Sequence, residues 1–199
     1  MDKLRYEREL VEKGVKYICG VDEVGRGPLA GPVVCAAVIM PLDELIEGVD
    51  DSKKLSAKRR EILSEEILKR AIDCRICSIE PKIIDEINIL QATRLCMKNA
   101  VESLKIPPDF VIADGNMTLD IAYPQKSIVK GDALSYTIGC ASIVAKVYRD
   151  ALMTELDGVY AGYGFGKNKG YGTAEHIAAL VNLGACPVHR KTFISKWVR

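Results

Sequence analysis

The chain has 199 residues, of which 48% are hydrophobic and 28% are charged, and its formal net charge is +1. A chain of this size and composition can fold as one domain without disulfides or a structural metal. No apolar run reaches the roughly 20 residues that span a bilayer, and the N-terminus has no signal-peptide pattern, so we expect a cytoplasmic protein with no membrane partner.

The first half of the chain predicts two paired strands, a helix and a third strand. The predicted elements are a helix within 1–16, strands at 17–24 and 32–40 joined by the Gly-rich turn 25–31, a charged loop at 43–54, a helix from a Ser56 cap to about Arg70, and a strand at 72–79. Leu63, Ile67 and Ala71 share one face of that helix, which indicates its buried side.

The second half predicts alternating helices and strands. These are a helix over 82–104 with a buried stripe of Ile83, Ile87, Leu90, Met97, Val101 and Leu104, strands at 109–113 and 127–129, a helix from Asp132 to about Asp157, a Gly-rich stretch at 158–172 and a helix from Thr173. This order favours an α/β fold with a mixed sheet and helices on its faces. We expect one domain over 1–199, with 158–199 as a loop-plus-helix C-terminal extension.

Four acids stand at places where a carboxylate needs a cation. Asp22 interrupts an apolar strand, where an uncompensated charge is costly, and Glu23 follows it. Asp114 ends the apolar strand before it, and Asp132 opens a helix. An oxygen-only set with no His or Cys nearby suits Mg²⁺ or Mn²⁺. Two such ions can act on a phosphodiester, so the acids predict a metal-dependent nuclease.

Each acid also has a simpler interpretation. Asp132 could cap its helix, Asp114 could form a turn with the glycine after it, and Glu23 could be an exposed strand residue. Neighbouring strand residues face opposite sides, so Asp22 and Glu23 converge only if the strand bends, which Gly25 and Gly27 would permit.

The loop after the acidic pair and two basic blocks are candidate nucleic-acid contacts. Glycines 25 and 27 let backbone amides approach a ligand, and Arg26 offers a planar fork for a phosphate, although a hairpin turn with a surface arginine is the alternative. The basic blocks are Lys53, Lys54, Lys58, Arg59 and Arg60, and then Lys167, Lys169, Arg190, Lys191, Lys196 and Arg199. Either block could be a solvated face. Tyr171 lies between two glycines, so it could stack on a sugar or base or be incidentally exposed.

Seven cysteines form an odd set that lies mostly in apolar runs, which favours buried thiols in a reducing compartment. Cys74 and Cys77 form the C-x-x-C pair. No second pair or well-spaced histidine completes a zinc site, so a metal clip there is a minor alternative.

Six segments carry a resemblance to a known family. They are residues 20–33 (GVDEVGRGPLAGPV), 51–55 (DSKKL), 114–115 (DG), 130–132 (KGD), 141–147 (ASIVAKV) and 169–173 (KGYGT). In this order they resemble ribonuclease HII. The resemblance implies a ribonuclease H-like fold with a mixed five-stranded sheet flanked by helices. About 21 residues precede Asp22, which we expect leaves no room for the extra N-terminal domain of ribonuclease HIII.

The resemblance also implies an activity. The enzyme would hydrolyse the RNA strand of RNA–DNA hybrids and incise 5′ of single ribonucleotides embedded in duplex DNA. Two-metal-ion hydrolysis would leave 5′-phosphate and 3′-hydroxyl ends. By this match Asp22, Glu23, Asp114 and Asp132 are the catalytic acids that bind Mn²⁺ or Mg²⁺.

The substrate contacts follow from the same match. Gly25, Arg26 and Gly27 would grip the junction and sense the 2′-hydroxyl, and Tyr171 would stack on the ribose. The lysines expected to contact substrate are Lys53, Lys54 and Lys146. We expect a monomer, and the tail 196–199 is a candidate contact for a sliding clamp.

Two rival interpretations stay open at this point. Another enzyme on the same fold, such as a strand-transfer or junction-resolving nuclease, would not need a 2′-hydroxyl. A non-catalytic hybrid-binding module or clamp adaptor would not need four intact acids.

Overall fold

The computed structural model describes residues 2–49, 52 and 55–198, which form five strands and eight helices. In chain order these are α1 (Arg5–Val11), β1 (Ile18–Val24), β2 (Val33–Ile39), α2 (Ala57–Arg70), β3 (Asp73–Ile79), α3 (Pro81–Glu102), β4 (Phe110–Asp114), β5 (Gln125–Ile128), α4 (Gly131–Leu134), α5 (Tyr136–Val159), α6 (Phe165–Asn168), α7 (Ala174–Leu183) and α8 (Lys191–Ile194). The predicted order of strands and long helices is confirmed, and α4, α6 and α8 are short additions to it.

The five strands form one mixed sheet, as predicted, and their order in it is β3-β2-β1-β4-β5. Strands β1, β2 and β3 pair antiparallel, whereas β4 pairs parallel with β1 and with β5. The β1–β4 register ends at Val21 opposite Ala113. The next residue on each strand is an acid, Asp22 and Asp114. Both acids therefore lie where the parallel pairing of β1 with β4 ends, toward the carboxyl edge of the sheet, which is where ligands bind in such sheets.

Helices cover both faces of the sheet. One hydrophobic core lies between the sheet and α3, and a second lies between the sheet, α2 and α5. Leu63 and Ile67 of α2 are fully buried in the second core, as their spacing predicts. Gly20 of β1 packs so closely on the backbone of Thr137 that a Cβ at position 20 would overlap it. This close approach holds the start of α5 directly against the central strand.

The predicted buried stripe of α3 is only partly correct. Met97 and Val101 are buried, but Leu90 is 40% exposed. Asn88 interrupts the helix with a left-handed φ of 65°, and its Oδ1 accepts hydrogen bonds from the amides of Leu90 (3.0 Å) and Gln91 (3.1 Å). Asn88 therefore starts a second helical segment. A single helical periodicity applied across residue 88 therefore predicts the wrong buried face for part of α3.

The helix predicted to open at Asp132 is two helices. Asp132 lies in the one-turn helix α4, and α5 begins at Tyr136. The Oγ of Ser135 accepts a hydrogen bond from the amide of Ile138 at 3.2 Å, so Ser135 caps α5. The alternative that Asp132 caps the long helix is therefore wrong.

The cysteine pair does not form a metal clip. Cys74 packs in the core beneath α2 and α5, and Cys77 packs in the core beneath α3. Residues three apart on a strand point to opposite faces, so the two thiols cannot share a ligand. All seven cysteines are free thiols.

The C-terminal segment packs on the rest of the chain. Phe165 and Tyr163 join a buried cluster with Ala30 and Met153, and Leu180 packs with Leu29. The single-domain organisation over 1–199 stays a prediction. None of the helices in the described parts of the chain is both long and apolar enough to cross a membrane.

A buried acid on α1 fastens that helix to the start of α5. Glu7 has no exposed surface, and its Oε1 accepts hydrogen bonds from the Ser135 hydroxyl (2.6 Å), the Thr137 hydroxyl (2.9 Å) and the Thr137 amide (3.0 Å). A carboxylate is favourable at a helix N-terminus because the amides there lack intrahelical partners.

We expect Glu7→Ala to lower the free energy of unfolding by about 2–4 kcal/mol, because three buried donors lose their acceptor. Urea denaturation at neutral pH measures this change. Glu9→Ala removes an acid of the same helix whose side chain is 43% exposed and pairs with Arg5, so it should cost less than about 1 kcal/mol. Equal losses in the two variants would contradict the role given to Glu7.

Candidate active site

Three carboxylates converge at the carboxyl edge of the sheet. Among the described residues, one oxygen from each of Asp22, Glu23 and Asp114 lies within 4.8 Å of the others. Asp22 and Asp114 directly follow the last residue pair that joins the parallel strands β1 and β4, so the sheet itself brings them together. The sequence predicted this grouping from strand ends separated by more than ninety residues.

Asp22 and Glu23 converge while both remain in β1. Their pairing with β2 continues through Val24 opposite Val34. The Oδ1 of Asp22 accepts a hydrogen bond from the Glu23 amide at 2.7 Å, so the short side chain folds back along its own strand. The expected bend at the glycines lies after the pair and is not what joins the two carboxylates.

Neighbouring donors orient the acids. The amide of Gly131 donates to Oδ1 of Asp114 at 2.6 Å. The Ser142 hydroxyl is close enough to Asp22 to lower the pKa of that carboxyl against the effect of burial, and it lies 3.0 Å from the Ser52 hydroxyl. Residue-by-residue reasoning did not single out either serine as a site residue. The available signal was a lone polar residue in an apolar run, four residues before Lys146 on the same helix.

Burial and mutual repulsion make the charged cluster unfavourable without a cation. Burial raises the pKa of Asp22 well above its usual value, and the charges of Glu23 and Asp114 raise it further. Burial also raises the pKa of Glu23, which the nearby Arg26 partly offsets. Burial and the charge of Asp132 raise the pKa of Asp114 against the opposing hydrogen bond from Gly131.

The fourth predicted acid lies beside the cluster. Asp132 is 6% exposed and close enough to act on the charge of Asp114, and its Oδ1 accepts a hydrogen bond from the Ala133 amide at 3.0 Å. Its carboxylate is not part of the group of three within 4.8 Å. The structure thus unites three of the four predicted acids and places the fourth next to Asp114.

The donor set fits a hard divalent cation. The three converging groups offer oxygen atoms alone, which Mg²⁺ and Mn²⁺ prefer and which zinc sites seldom use without nitrogen or sulfur. A divalent ion would also relieve the repulsion that raises these pKa values. Asp22, Glu23 and Asp114, with Asp132 adjacent, are therefore the residues that could hold the metal.

A buried arginine holds the loop after the acidic pair. Arg190 has no exposed surface and donates to the carbonyls of Gly25 (2.5 Å), Arg26 (2.8 Å) and Gly31 (3.0 Å). Its assignment to a basic block that contacts nucleic acid is therefore wrong, because the side chain faces inward. Gly25 has a φ of +93°, a conformation that side chains other than glycine rarely adopt.

A second buried arginine extends this support to the C-terminal segment. Arg149 of α5 donates to the carbonyls of Ala30 (3.1 Å), Pro32 (2.9 Å) and Lys169 (2.9 Å). Like Arg190, it has no exposed surface. Sequence patterns alone do not separate these two arginines from surface arginines, because their acceptors are backbone carbonyls far away in the chain.

The predicted substrate residues surround the acids. A cavity of about 210 Å³ is lined by Asp22, Glu23, Val24, Ser52, Asp114, Ser142, Lys146 and Tyr171. Tyr171 is 41% exposed, and a Cβ added to Gly27 would lie 3.8 Å from its ring. Arg26 is exposed and lies 3.5 Å from Glu23. The predicted contacts Lys53 and Lys54 lie outside the described residues.

Carboxylates at the carboxyl edge of a mixed sheet with this strand order define the ribonuclease H-like class of metal-dependent nucleases. Comparison with known proteins narrows the class. A family model described as ribonuclease HII matches residues 19–196. The ribonuclease HII of Caldicellulosiruptor saccharolyticus is 52% identical over 97% of this chain and 94% of its own length.

Solved structures agree with the sequence match. Ribonuclease H2 from Pyrococcus horikoshii superposes with a TM-score of 0.77 at 28% identity, over 89% of this chain and 93% of that one. Ribonuclease HII of Archaeoglobus fulgidus, solved in a complex with PCNA, superposes with a TM-score of 0.76 at 27% identity, over 88% of this chain and 94% of that one. The chain belongs to the ribonuclease HII family, metal-dependent hydrolases that cleave RNA in RNA–DNA hybrids.

We expect Asp22→Asn to raise the melting temperature of the metal-free protein by about 2–4 °C or more, because it removes one of three mutually repelling buried carboxylates. Mn²⁺ should stabilise the parent protein against heat and should stabilise this variant much less. Calorimetry with and without MnCl₂ measures both effects.

The matched control is Asp120→Asn, which removes a carboxylate that is 97% exposed and pairs with Lys98. It should keep the full Mn²⁺ stabilisation. A Mn²⁺ shift that is as large in Asp22→Asn as in the parent would remove Asp22 from the metal site.

Proposed function

We propose that this ribonuclease incises 5′ of single ribonucleotides embedded in duplex DNA, in addition to cleaving the RNA of hybrids, and leaves 5′-phosphate and 3′-hydroxyl ends. One observation carries the proposal. Tyr171 lines the same cavity as the converging acids Asp22, Glu23 and Asp114, and Gly27 of the Gly25-Arg26-Gly27 loop lies beside the Tyr171 ring. Residues suited to contact one ribose therefore lie beside the acids suited to hydrolyse its phosphodiester.

The acids have the role of metal ligands in this proposal. Asp22, Glu23, Asp114 and Asp132 would hold two Mg²⁺ or Mn²⁺ ions, which when bound supply Lewis-acid chemistry for an in-line displacement at phosphorus. The chain itself fixes the orientation of the ligands. The Glu23 amide donates to Asp22, and the Gly131 amide donates to Asp114. Such fixed geometry avoids reorganisation during the reaction.

The loop backbone is arranged to meet a hydroxyl. In a trans peptide the carbonyl and the following N–H point in opposite directions. Because the carbonyls of Gly25 and Arg26 point inward to Arg190, the amides of Arg26 and Gly27 point away from Arg190. Those amides can donate to a ribose 2′-hydroxyl, which is the group that distinguishes RNA from DNA at one nucleotide.

Tyr171 would supply the apolar contact to the same ribose. Its half-exposed ring lines the cavity and faces Gly27, where the lack of a side chain leaves room for a sugar. Aromatic rings stack on nucleotides without regard to base identity, which suits recognition of a ribose in any sequence context.

The basic side chains would bind phosphates. Lys146 lines the cavity, and its ammonium group pairs with Asp150 at 2.8 Å. Arg26 projects into solvent beside Glu23. We assign Lys53 and Lys54 the same role on the sequence alone. Phosphate contacts of this kind position a duplex but carry no sequence information.

The clamp contact, the monomeric state and the cytoplasmic location stay predictions. The Archaeoglobus relative solved with PCNA supports a clamp contact. In this chain, however, Trp197 and Val198 are partly buried against the Leu29, Leu180 and Ile194 cluster. A clamp could engage these two side chains only if they left that cluster.

We expect a DNA duplex with one internal ribonucleotide to be cut once, on the 5′ side of that ribonucleotide, in the presence of Mn²⁺ or Mg²⁺. Gel mapping with end-labelled strands and phosphatase treatment identifies the position and the ends. Asp22→Asn should reduce the rate by at least about a thousandfold and should bind the duplex with little change, because it removes a ligand but no duplex contact.

The control substrate is the same duplex with deoxyribose at the test position, which should remain intact. Cleavage of this all-DNA duplex, or a near-normal rate in Asp22→Asn, would contradict the proposal. The first result would favour a nuclease of the same fold that ignores the 2′-hydroxyl.

We expect Tyr171→Ala to lower the rate on the single-ribonucleotide duplex by about tenfold or more, and to affect a long hybrid less, because it removes one stacking contact at the ribose. The control is Tyr148→Ala on α5, where the ring is 44% exposed and does not line the cavity. If both variants behave alike, Tyr171 has no part in ribose recognition.

A further inference from the structure

Two buried histidines lie behind Tyr171. They are the two histidines of the chain, His176 and His189, and their Nε2 atoms are 3.1 Å apart. His176 has no exposed surface and His189 is 3% exposed. The Nδ1 of His176 lies 2.8 Å from the carbonyl oxygen of Tyr171. The Nδ1 of His189 lies 3.0 Å from the amide of Cys186.

The two ends of this chain of bonds determine where its protons lie. The Cys186 amide can only donate, so Nδ1 of His189 accepts and its Nε2 carries the proton. That proton is donated to Nε2 of His176, whose own proton must then be on Nδ1. The Tyr171 carbonyl can only accept, and it receives this last hydrogen bond. Each imidazole is therefore neutral, with its proton assigned by the neighbouring group.

The electrostatic environment favours the same neutral pair. Burial lowers the pKa of His176 below its usual value. Burial and the neighbouring His176 lower the pKa of His189 to about 4. A second proton on either ring would place two N–H groups against each other. The two nitrogens of His189 also face in opposite directions, toward Cys186 and toward His176, so the cluster is not a metal site.

The histidine pair connects to both parts of the proposed ribose-binding site, which are Tyr171 and the Gly25-Arg26-Gly27 loop. On one side it fixes the Tyr171 carbonyl, which also accepts a hydrogen bond from the Thr173 amide at 2.8 Å. On the other side His189 bridges to Ala30 and is followed directly by Arg190, which holds the Gly25 and Arg26 carbonyls. Tyr171 lies between two glycines, whose backbone would otherwise be the most flexible part of this segment.

We propose that His176 and His189 are positioning residues for ribose selection, which hold the Tyr171 ring at a fixed place opposite the Gly25-Arg26-Gly27 loop. The inference rests on the proposed function, because it presumes that Tyr171 contacts the ribose. His176 acts through its bond to the Tyr171 carbonyl, and His189 acts by fixing the proton position of His176. Neither histidine touches the substrate.

Three substitutions at position 176 separate positioning from packing. Asn places an amide near the position of Nδ1, so His176→Asn can keep the bond to Tyr171. Gln places its amide near the position of Nε2, so His176→Gln can keep the bond to His189 and lose the bond to Tyr171. His176→Leu loses both. The control is Tyr163→Phe, which removes a hydroxyl bonded to Gly184 within the same aromatic cluster.

The measurement is the ratio of kcat/KM on a single-ribonucleotide duplex to kcat/KM on a long RNA–DNA hybrid, with Mn²⁺. We expect His176→Gln and His176→Leu to lower this ratio about tenfold, because a small displacement of a positioning group is costly in rate. His176→Asn and Tyr163→Phe should stay within about twofold of the parent. His176→Leu should lower the ratio no further in a Tyr171→Ala background. If His176→Leu fails to fold, the Gln and Asn variants still decide.

Two results would overturn the inference alone. One is an unchanged ratio in His176→Gln while Tyr171→Ala lowers it. The other is an equal fall in His176→Gln, His176→Asn and Tyr163→Phe, which would show a general packing effect. An unchanged ratio in Tyr171→Ala itself would instead overturn the proposed role of Tyr171, and this inference with it.

Discussion

Most of the connection between β1 and β2 is buried, with Arg26 and Gly27 exposed, and its inward-facing backbone carbonyls need donors. Two buried guanidinium groups meet this need. Arg149 and Arg190 together bind the carbonyls of residues 25, 26, 30, 31 and 32 and of Lys169. A buried carbonyl without a donor is costly, so this connection could not adopt its path without the two arginines. Its position, and therefore the shape of the active-site rim, depends on them.

The use of arginine for this purpose has an electrostatic consequence. Burial, and then the charge of Arg149, lower the pKa of Arg190 to about 9, which still leaves this guanidinium charged at neutral pH, and burial also lowers the pKa of Arg149. Their charges are stabilised by carbonyl dipoles, each bonded at 2.5–3.1 Å. Arginine suits this role better than lysine because its planar fork presents five N–H donors in fixed directions. The side chains thus act as rigid connectors between segments that are distant in sequence.

The sequence predicted the parts of this protein that depend on local patterns. The alternation of apolar residues located the strands, and the acids at strand ends located the cluster of Asp22, Glu23 and Asp114. Single residues that interrupt such a pattern were harder to predict from the sequence. Asn88 starts a new helical segment with a left-handed backbone, and Ser135 takes the capping role expected of Asp132. Each is a common polar residue whose effect depends on a backbone angle that composition does not reveal.

Hydrogen bonds between residues far apart in the sequence could not be predicted, for a different reason. Arg190 stands among basic residues in the sequence, so a solvated face or a nucleic-acid contact was the natural interpretation. Its acceptors lie up to 165 residues away, and they are backbone carbonyls, which every residue type carries. The paired histidines are similar, since their partners are the backbone groups of Tyr171 and Cys186. The residue types in a sequence do not indicate which backbone groups a buried side chain will bind, because nearly every residue carries the same backbone groups.

This difference separates two kinds of residue in the active site. The acids stand on β1 and β4, whose geometry follows from regular strand pairing at the sheet edge. The residues proposed to contact the ribose are Tyr171 and the Gly25-Arg26-Gly27 loop, whose geometry follows from a few buried polar bonds. A strand is held by many equivalent backbone bonds, so the loss of one changes its position little, whereas the loop depends on the donors of two arginines. Substitutions behind the loop should therefore alter which substrate is chosen before they alter whether a phosphodiester can be cut. Under the proposed function, selectivity would then depend on the buried arginines and histidines as much as on the residues that face the nucleic acid.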